Sequence, residues 1–129
     1  MKNYIFSLLL VALTGCVFSN KSSNVAENPN CNGPLITIYS TRYCHACSDA
    51  IEYVRYHNYC LIVKEVDEYD DAKREVKLVL ERAGMEYGQF PVIAIDGGEI
   101  RIGYSAQDLQ DAIERRNIKK LKEHHVSTK

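Results

Sequence analysis

Leu35-Ile36-Thr37-Ile38-Tyr39-Ser40-Thr41-Arg42-Tyr43-Cys44-His45-Ala46-Cys47 is the stretch that decides the fold. Its first five residues form a compact β-branched run behind Gly33-Pro34, the pattern of a strand. Ser40 to Tyr43 make a short loop. From Cys44 the period changes. Cys47, Ala50, Ile51 and Val54 recur at helical spacing, with Asp49, Glu52 and Arg55 on the other side. The helix is expected to end near His57-Asn58. A Cys-x-x-Cys motif therefore sits where a strand hands over to a helix.

That position has chemical consequences. A thiolate, not a thiol, attacks a disulfide. At a helix N-terminus the unpaired backbone N–H groups and the positive dipole end lower a cysteine's pKa. Cys44 occupies that place. Cys47 lies nearly one turn on, beneath it, within reach of a disulfide. The pattern suits Cys44 as attacking thiol and Cys47 as resolving thiol. His45 between them either supports the thiolate or is an ordinary solvated imidazole. Arg42 either adds positive field or is a surface charge. A CxxC is also half of a zinc site, but no second paired ligand set accompanies it, so no metal residues are assigned. An inert structural disulfide is the remaining reading.

Beyond the motif, Leu61 to Val66 read as a second strand introduced by Cys60. The acidic run at residues 67–71 suits a helix start. Residues 72–83 form that helix, with Val76, Val79, Leu80 and Ala83 on one face, and Gly84 stops it. Residues 90–95 read as a third strand. Asp96-Gly97-Gly98 is a hairpin signal leading into a fourth strand at residues 99–102. Ser105-x-x-Asp108 is a capping box for a last helix from residue 106 to about 122, with Leu109, Ala112, Ile113 and Arg116 inward. The order β-α-β-α-β-β-α implies an α/β fold: a right-handed parallel pair, a closing antiparallel hairpin, and helices covering a four-stranded mixed sheet.

Residues 34–118 resemble a glutaredoxin, within the thioredoxin superfamily. The resemblance rests on Ile38-Tyr39-Ser40, Tyr43-Cys44-His45-Ala46-Cys47, Glu65-Val66-Asp67, Phe90-Pro91-Val92, Asp96-Gly97-Gly98-Glu99-Ile100 and Gly103-Tyr104-Ser105-Ala106-Gln107-Asp108-Leu109. It implies a thioredoxin fold and a glutaredoxin-like protein-disulfide oxidoreductase, its CxxC dithiol acting on exported protein or low-molecular-weight disulfides. It also implies no bound cofactor, with glutathione as a co-substrate, and partners in protein thiols and disulfides and a redox partner protein. Pro91 is implied to be cis and to face the dithiol. Arg42, Tyr43, Phe90, Pro91, Gly103, Tyr104 and Ser105 are the implied substrate-binding residues. Two departures stand out. The motif is Cys-His-Ala-Cys where the family usually has Cys-Pro-Tyr-Cys. Gly103-Tyr104 replaces the usual Gly-Gly, which leaves glutathione use open.

The N-terminal segment points elsewhere. Lys2 precedes an apolar run at residues 4–13, broken by Ser7. A stable membrane span needs about 20 residues, so this run suits an export signal instead. It ends in Leu13-Thr14-Gly15-Cys16, which resembles a bacterial lipobox. The resemblance implies cleavage before Cys16, lipid on its thiol, and an extracytoplasmic lipoprotein anchored to a membrane. A plain signal peptide or a buried helix is the alternative. The expected organisation is a signal peptide at 1–15, a Ser/Asn-rich flexible tether at 16–33, the domain at 34–118 and a basic tail at 119–129.

Five cysteines are present. With Cys16 lipidated and Cys44–Cys47 paired, Cys31 and Cys60 remain. They precede two strands expected to be adjacent and parallel, at the edge opposite the CxxC, where a disulfide is geometrically reasonable. Two unpaired thiols are the alternative. Sixteen Lys and Arg balance seventeen Asp and Glu, so no nucleic-acid footprint exists. Tyr53, Tyr56 and Tyr59 read as edges of a packed helix rather than a binding ladder. Two function classes compete with the oxidoreductase: a membrane-tethered CxxC metallochaperone and a non-catalytic interaction module.

Overall fold

The computed structural model describes residues 28–127. The expected signal segment, Cys16 and most of the expected tether lie outside the described residues. Seven elements follow in order: β1 (Leu35–Ser40), α1 (His45–Tyr56), β2 (Cys60–Glu65), α2 (Asp70–Arg82), β3 (Val92–Ile95), β4 (Glu99–Ile102) and α3 (Ala106–Val126). The sheet order is β2-β1-β3-β4. β1 and β2 run parallel, with Leu35 opposite Cys60 and Ser40 opposite Glu65. β3 is antiparallel to both β1 and β4. This is the α/β architecture with a four-stranded mixed sheet that the residue pattern implies.

Strand alternation splits the core into two layers. Ile36, Ile38, Ile93 and Ile95 face α1 and α3, where they meet Ala50, Val54, Leu109, Ala112 and Ile113. Tyr39, Val92, Ala94 and Ile100 face α2, where they meet Val76 and Leu80. Nearly all of these side chains are fully buried. Each large one contributes about 1.5–3 kcal/mol of transfer free energy.

The β3–β4 connection is the three residues Asp96-Gly97-Gly98, with a β-turn centred on the first two. Asp96 and Gly97 have φ of 50° and 69°, and the Gly98 N–H donates to the Ile95 carbonyl at 3.0 Å. Two consecutive positive φ values match the right-handed twist of a hairpin, and Asp-Gly tolerates them.

β1 and β2 each differ by one residue from the sequence expectation, and three boundaries differ by two residues or more. β3 begins at Val92, because Pro91 has no N–H to give to a ladder. α2 begins at Asp70, so only Asp70 and Asp71 of the acidic run lie in its first turn. α3 continues to Val126, so most of the stretch expected as a basic tail from residue 119 is helix instead. No Gly or Pro interrupts residues 106–127, and Arg, Lys, Glu and Leu there are strong helix formers.

Candidate active site

Strand register gathers one end of every strand at a single edge. Tyr39 stands opposite Val92, and Val92 opposite Ile102. The loop leaving β1, the approach to β3 and the exit from β4 therefore meet there. Cys44 and Cys47 lie in the first of these, and Pro91 and Gly103 in the other two.

Cys44 is the N-cap of α1, in extended conformation with φ −98° and ψ 102°. Its Sγ accepts from the Cys47 N–H at 3.1 Å. It is also disulfide-bonded to Cys47, with Cα atoms 5.2 Å apart. The two sulfurs differ in access: Cys44 is partly exposed, whereas Cys47 is 1% exposed. Such an arrangement can alternate between disulfide and dithiol, and a helix N-terminus favours the thiolate at Cys44.

The loop before Cys44 is held by its neighbours. The Cys44 N–H donates to the Thr41 carbonyl at 3.2 Å. The Arg42 N–H donates to Asp67 Oδ2 at 2.9 Å. Asp67 thus fixes the approach to the motif instead of capping α2. Glu65, opposite Ser40, has its carboxyl pushed above the usual range. Burial is the first cause, then Asp67 and Glu68, against a hydrogen bond from Ser40 and the Arg42 charge. His45, Arg42 and Tyr43 are exposed, Tyr43 by 94%.

The other site residues sort into two groups. The Phe90–Pro91 peptide is cis, and the Gly103 N–H donates to the Pro91 carbonyl at 2.8 Å. Gly103 has φ 81°, a left-handed conformation that favours glycine. Ser105 caps α3, its Oγ accepting from the Asp108 N–H at 3.4 Å. A cavity of about 220 Å³ is lined by Arg101, Ile102, Gly103, Tyr104, Ser105 and Asp108, among others. Phe90 turns elsewhere, packing on the α2-side core and on Tyr87, ring centres 5.8 Å apart. Tyr104 leans toward α1, 6.1 Å from the Tyr53 ring.

Sequence reasoning missed Asp67 and Arg101. Asp67 reads as one acid in an acidic run, and only the fold brings it to Arg42. Arg101 pairs with Glu99, yet its Nε is buried and has no hydrogen-bond partner among the described residues. Strand alternation placing Arg101 beside Ile93 was the available signal.

Cys31 and Cys60 form a disulfide at the opposite edge, with S–S 2.03 Å and Cα atoms 4.9 Å apart. Residues just before β1 are tied to the same place. The Asn32 N–H donates to the Asn58 carbonyl at 2.8 Å, and Asn28 Nδ2 to Asn58 Oδ1 at 2.6 Å. Among the described residues no group of three His, Cys, Asp or Glu is placed to hold a metal.

The glutaredoxin family model matches residues 36–100. The crystal structure of a glutaredoxin from Archaeoglobus fulgidus aligns with 60% of this chain and 84% of its own, at 20% identity and a TM-score of 0.50. That of a glutaredoxin from Methanosarcina mazei Go1 aligns with 61% of this chain and 77% of its own, at 13% identity and a TM-score of 0.50. No curated protein matches the sequence. The structural likenesses show the fold, and the family match covers half of the chain. The chain therefore belongs to the glutaredoxin family, and its function is of the thiol–disulfide oxidoreductase kind.

Proposed function

We propose that Cys44 and Cys47 are the working dithiol of a protein-disulfide oxidoreductase that acts outside the cytoplasm from a lipid anchor at Cys16. The observation that carries the chemistry is Cys44 at the N-cap of α1, its sulfur receiving the Cys47 N–H, with the buried Cys47 bonded to it. The location rests on the apolar run and Leu13-Thr14-Gly15-Cys16.

The exchange proceeds in two displacements. The Cys44 thiolate attacks one sulfur of a substrate disulfide, and the other substrate sulfur leaves as a thiolate. The Cys47 thiolate then attacks Cys44 Sγ, releases the second substrate thiolate and closes the Cys44–Cys47 bond. Two electrons pass from the protein to the substrate. A redox partner protein or glutathione returns them, and the reverse sequence oxidises substrate dithiols. What supports glutathione in that role is the cavity at Gly103–Ser105, where the α3 N-terminus and Arg101 favour a carboxylate.

Trapping tests the roles. Cys47→Ser accumulates mixed disulfides on Cys44, and Cys44→Ser accumulates none while losing insulin reduction. Equal trapping on both cysteines would overturn the assignment. One soft metal ion held per reduced chain, with negligible turnover, would favour a metallochaperone instead. Cys16→Ser abolishes incorporation of labelled fatty acid if the anchor is right, and leaves insulin reduction unchanged.

A further inference from the structure

α3 is longer than the sheet it covers. Its buried residues, Leu109, Ala112 and Ile113, end little more than a third of the way along. Arg116 Nε reaches Asp96 Oδ2 at 3.1 Å, and Lys120 Nζ reaches the same oxygen at 3.2 Å. Asp96 also accepts from the Leu35 N–H at 2.9 Å. The helix therefore passes the edge where the chain enters the domain, opposite the dithiol. Residues 117–127 are all exposed. Lys120 is the last residue to pair with Asp96, so at 1.5 Å per residue the six helical residues after it run on for about 9 Å.

This overhang is amphipathic and basic. Ile118 and Leu121 sit on its outer side, 51% and 65% exposed, three residues apart. Residues 115–126 hold five Arg and Lys against one Glu. Lys119 lines a cavity with Asp96, Glu99 and Glu123, but among the described residues neither it nor Lys122 forms an ion pair. A helical segment this short is marginal in water without something to pack on. A second copy would set like charges against each other. Residues 17–27 carry only Lys21 and Glu27, so they offer no negative face.

We propose that the projecting end of α3 docks on an anionic phospholipid surface, with Ile118 and Leu121 entering the headgroup layer and Lys119 and Lys122 meeting lipid phosphates. A basic amphipathic helix is suited to that plane. It shares an edge with the incoming chain, so docking turns Cys44 away from the bilayer toward soluble substrates. The inference stands apart from the dithiol chemistry and requires no lipid on Cys16.

Binding of the full chain to phosphatidylglycerol vesicles is compared with binding to phosphatidylcholine vesicles at low salt. The N-terminal segment, with Lys2, contributes in every variant, so the part of the ratio lost on reversing Lys119 and Lys122 reports the basic helix. The expected ratio favours phosphatidylglycerol by at least about tenfold and collapses in 0.5 M salt and in Lys119→Glu/Lys122→Glu, given the strength of each surface cation. Ile118→Ser/Leu121→Ser weakens binding to phosphatidylglycerol as well. Insulin reduction is unchanged in both variants, which reports intact folding. A native ratio near one, or a ratio the double Glu variant retains, overturns the proposal. So does a dimer in sedimentation that Ile118→Ser/Leu121→Ser dissolves, because the helix then packs on a second copy.

Discussion

Cys44 and Asp96 each answer to two demands at one position. Cys44 ends the loop and caps the helix, so its sulfur is held by the backbone it helps to start. Asp96 occupies a left-handed turn position, and its carboxylate joins β1 to α3 through Leu35, Arg116 and Lys120. Burial alone would raise the Asp96 pKa. The Leu35 N–H and then the Lys120 and Arg116 charges outweigh burial, and the pKa falls below its ordinary value. The sign of the pH effect follows. A depressed carboxyl stabilises the fold above its unfolded pKa of about 3.9, and that contribution is lost as pH falls through the folded pKa. Asp96→Asn keeps a residue that tolerates positive φ but removes the charge. Denaturant titration from pH 7 to pH 2 should show a shallower acid-side loss of stability in Asp96→Asn than in the native chain.

At the scale of elements, α3 joins both ends of the molecule. Its first turn is capped by Ser105 at the dithiol edge, its middle packs on β3 and β4, and its last turns project beyond Asp96. Two substitutions separate the contributions. Ser105→Ala removes a side-chain cap and should cost about 0.5–2 kcal/mol. Leu109→Ala empties a fully buried site between α3 and the sheet and should cost about 2–5 kcal/mol. Urea unfolding reads both, and the Leu109 effect should be the larger. A Ser105 effect equal to that of Leu109 would show that the cap, not the packed face, holds the helix.

At the scale of the molecule, the two disulfides divide the labour. Cys44–Cys47 closes three residues at the functional edge. Cys31–Cys60 closes a separation of 29 residues at the other edge. A loop of that length removes enough denatured-state entropy to contribute about 3–4 kcal/mol. Cys31→Ala/Cys60→Ala should lower stability by about that amount while leaving the rate constant for insulin reduction within about twofold at a temperature where the chain stays folded. A large rate loss without a stability loss would tie that bridge to the chemistry.

The sequence by itself determined the strands, the helices and the place of Cys44 and Cys47 between them. Period and punctuation are local: Leu35 to Cys47 switch from β-branched run to helical spacing within one short segment, and Asp96-Gly97 dictates its own turn. The two-layer sheet followed, because few arrangements bury those faces. The tertiary structure alone decided which distant groups meet. Asp67 reaches Arg42 across 25 residues, and Asp96 reaches Leu35 across 61. Phe90 turned toward Tyr87, and Tyr104 toward Tyr53. Nothing local in an acid or an aromatic ring names its partner, since register and packing supply it. The length of α3 lay between these cases. Its start and inner face were legible, but residues 119–126 read as a basic tail rather than helix, and that its last turns clear the sheet edge depends on where Arg116 meets Asp96.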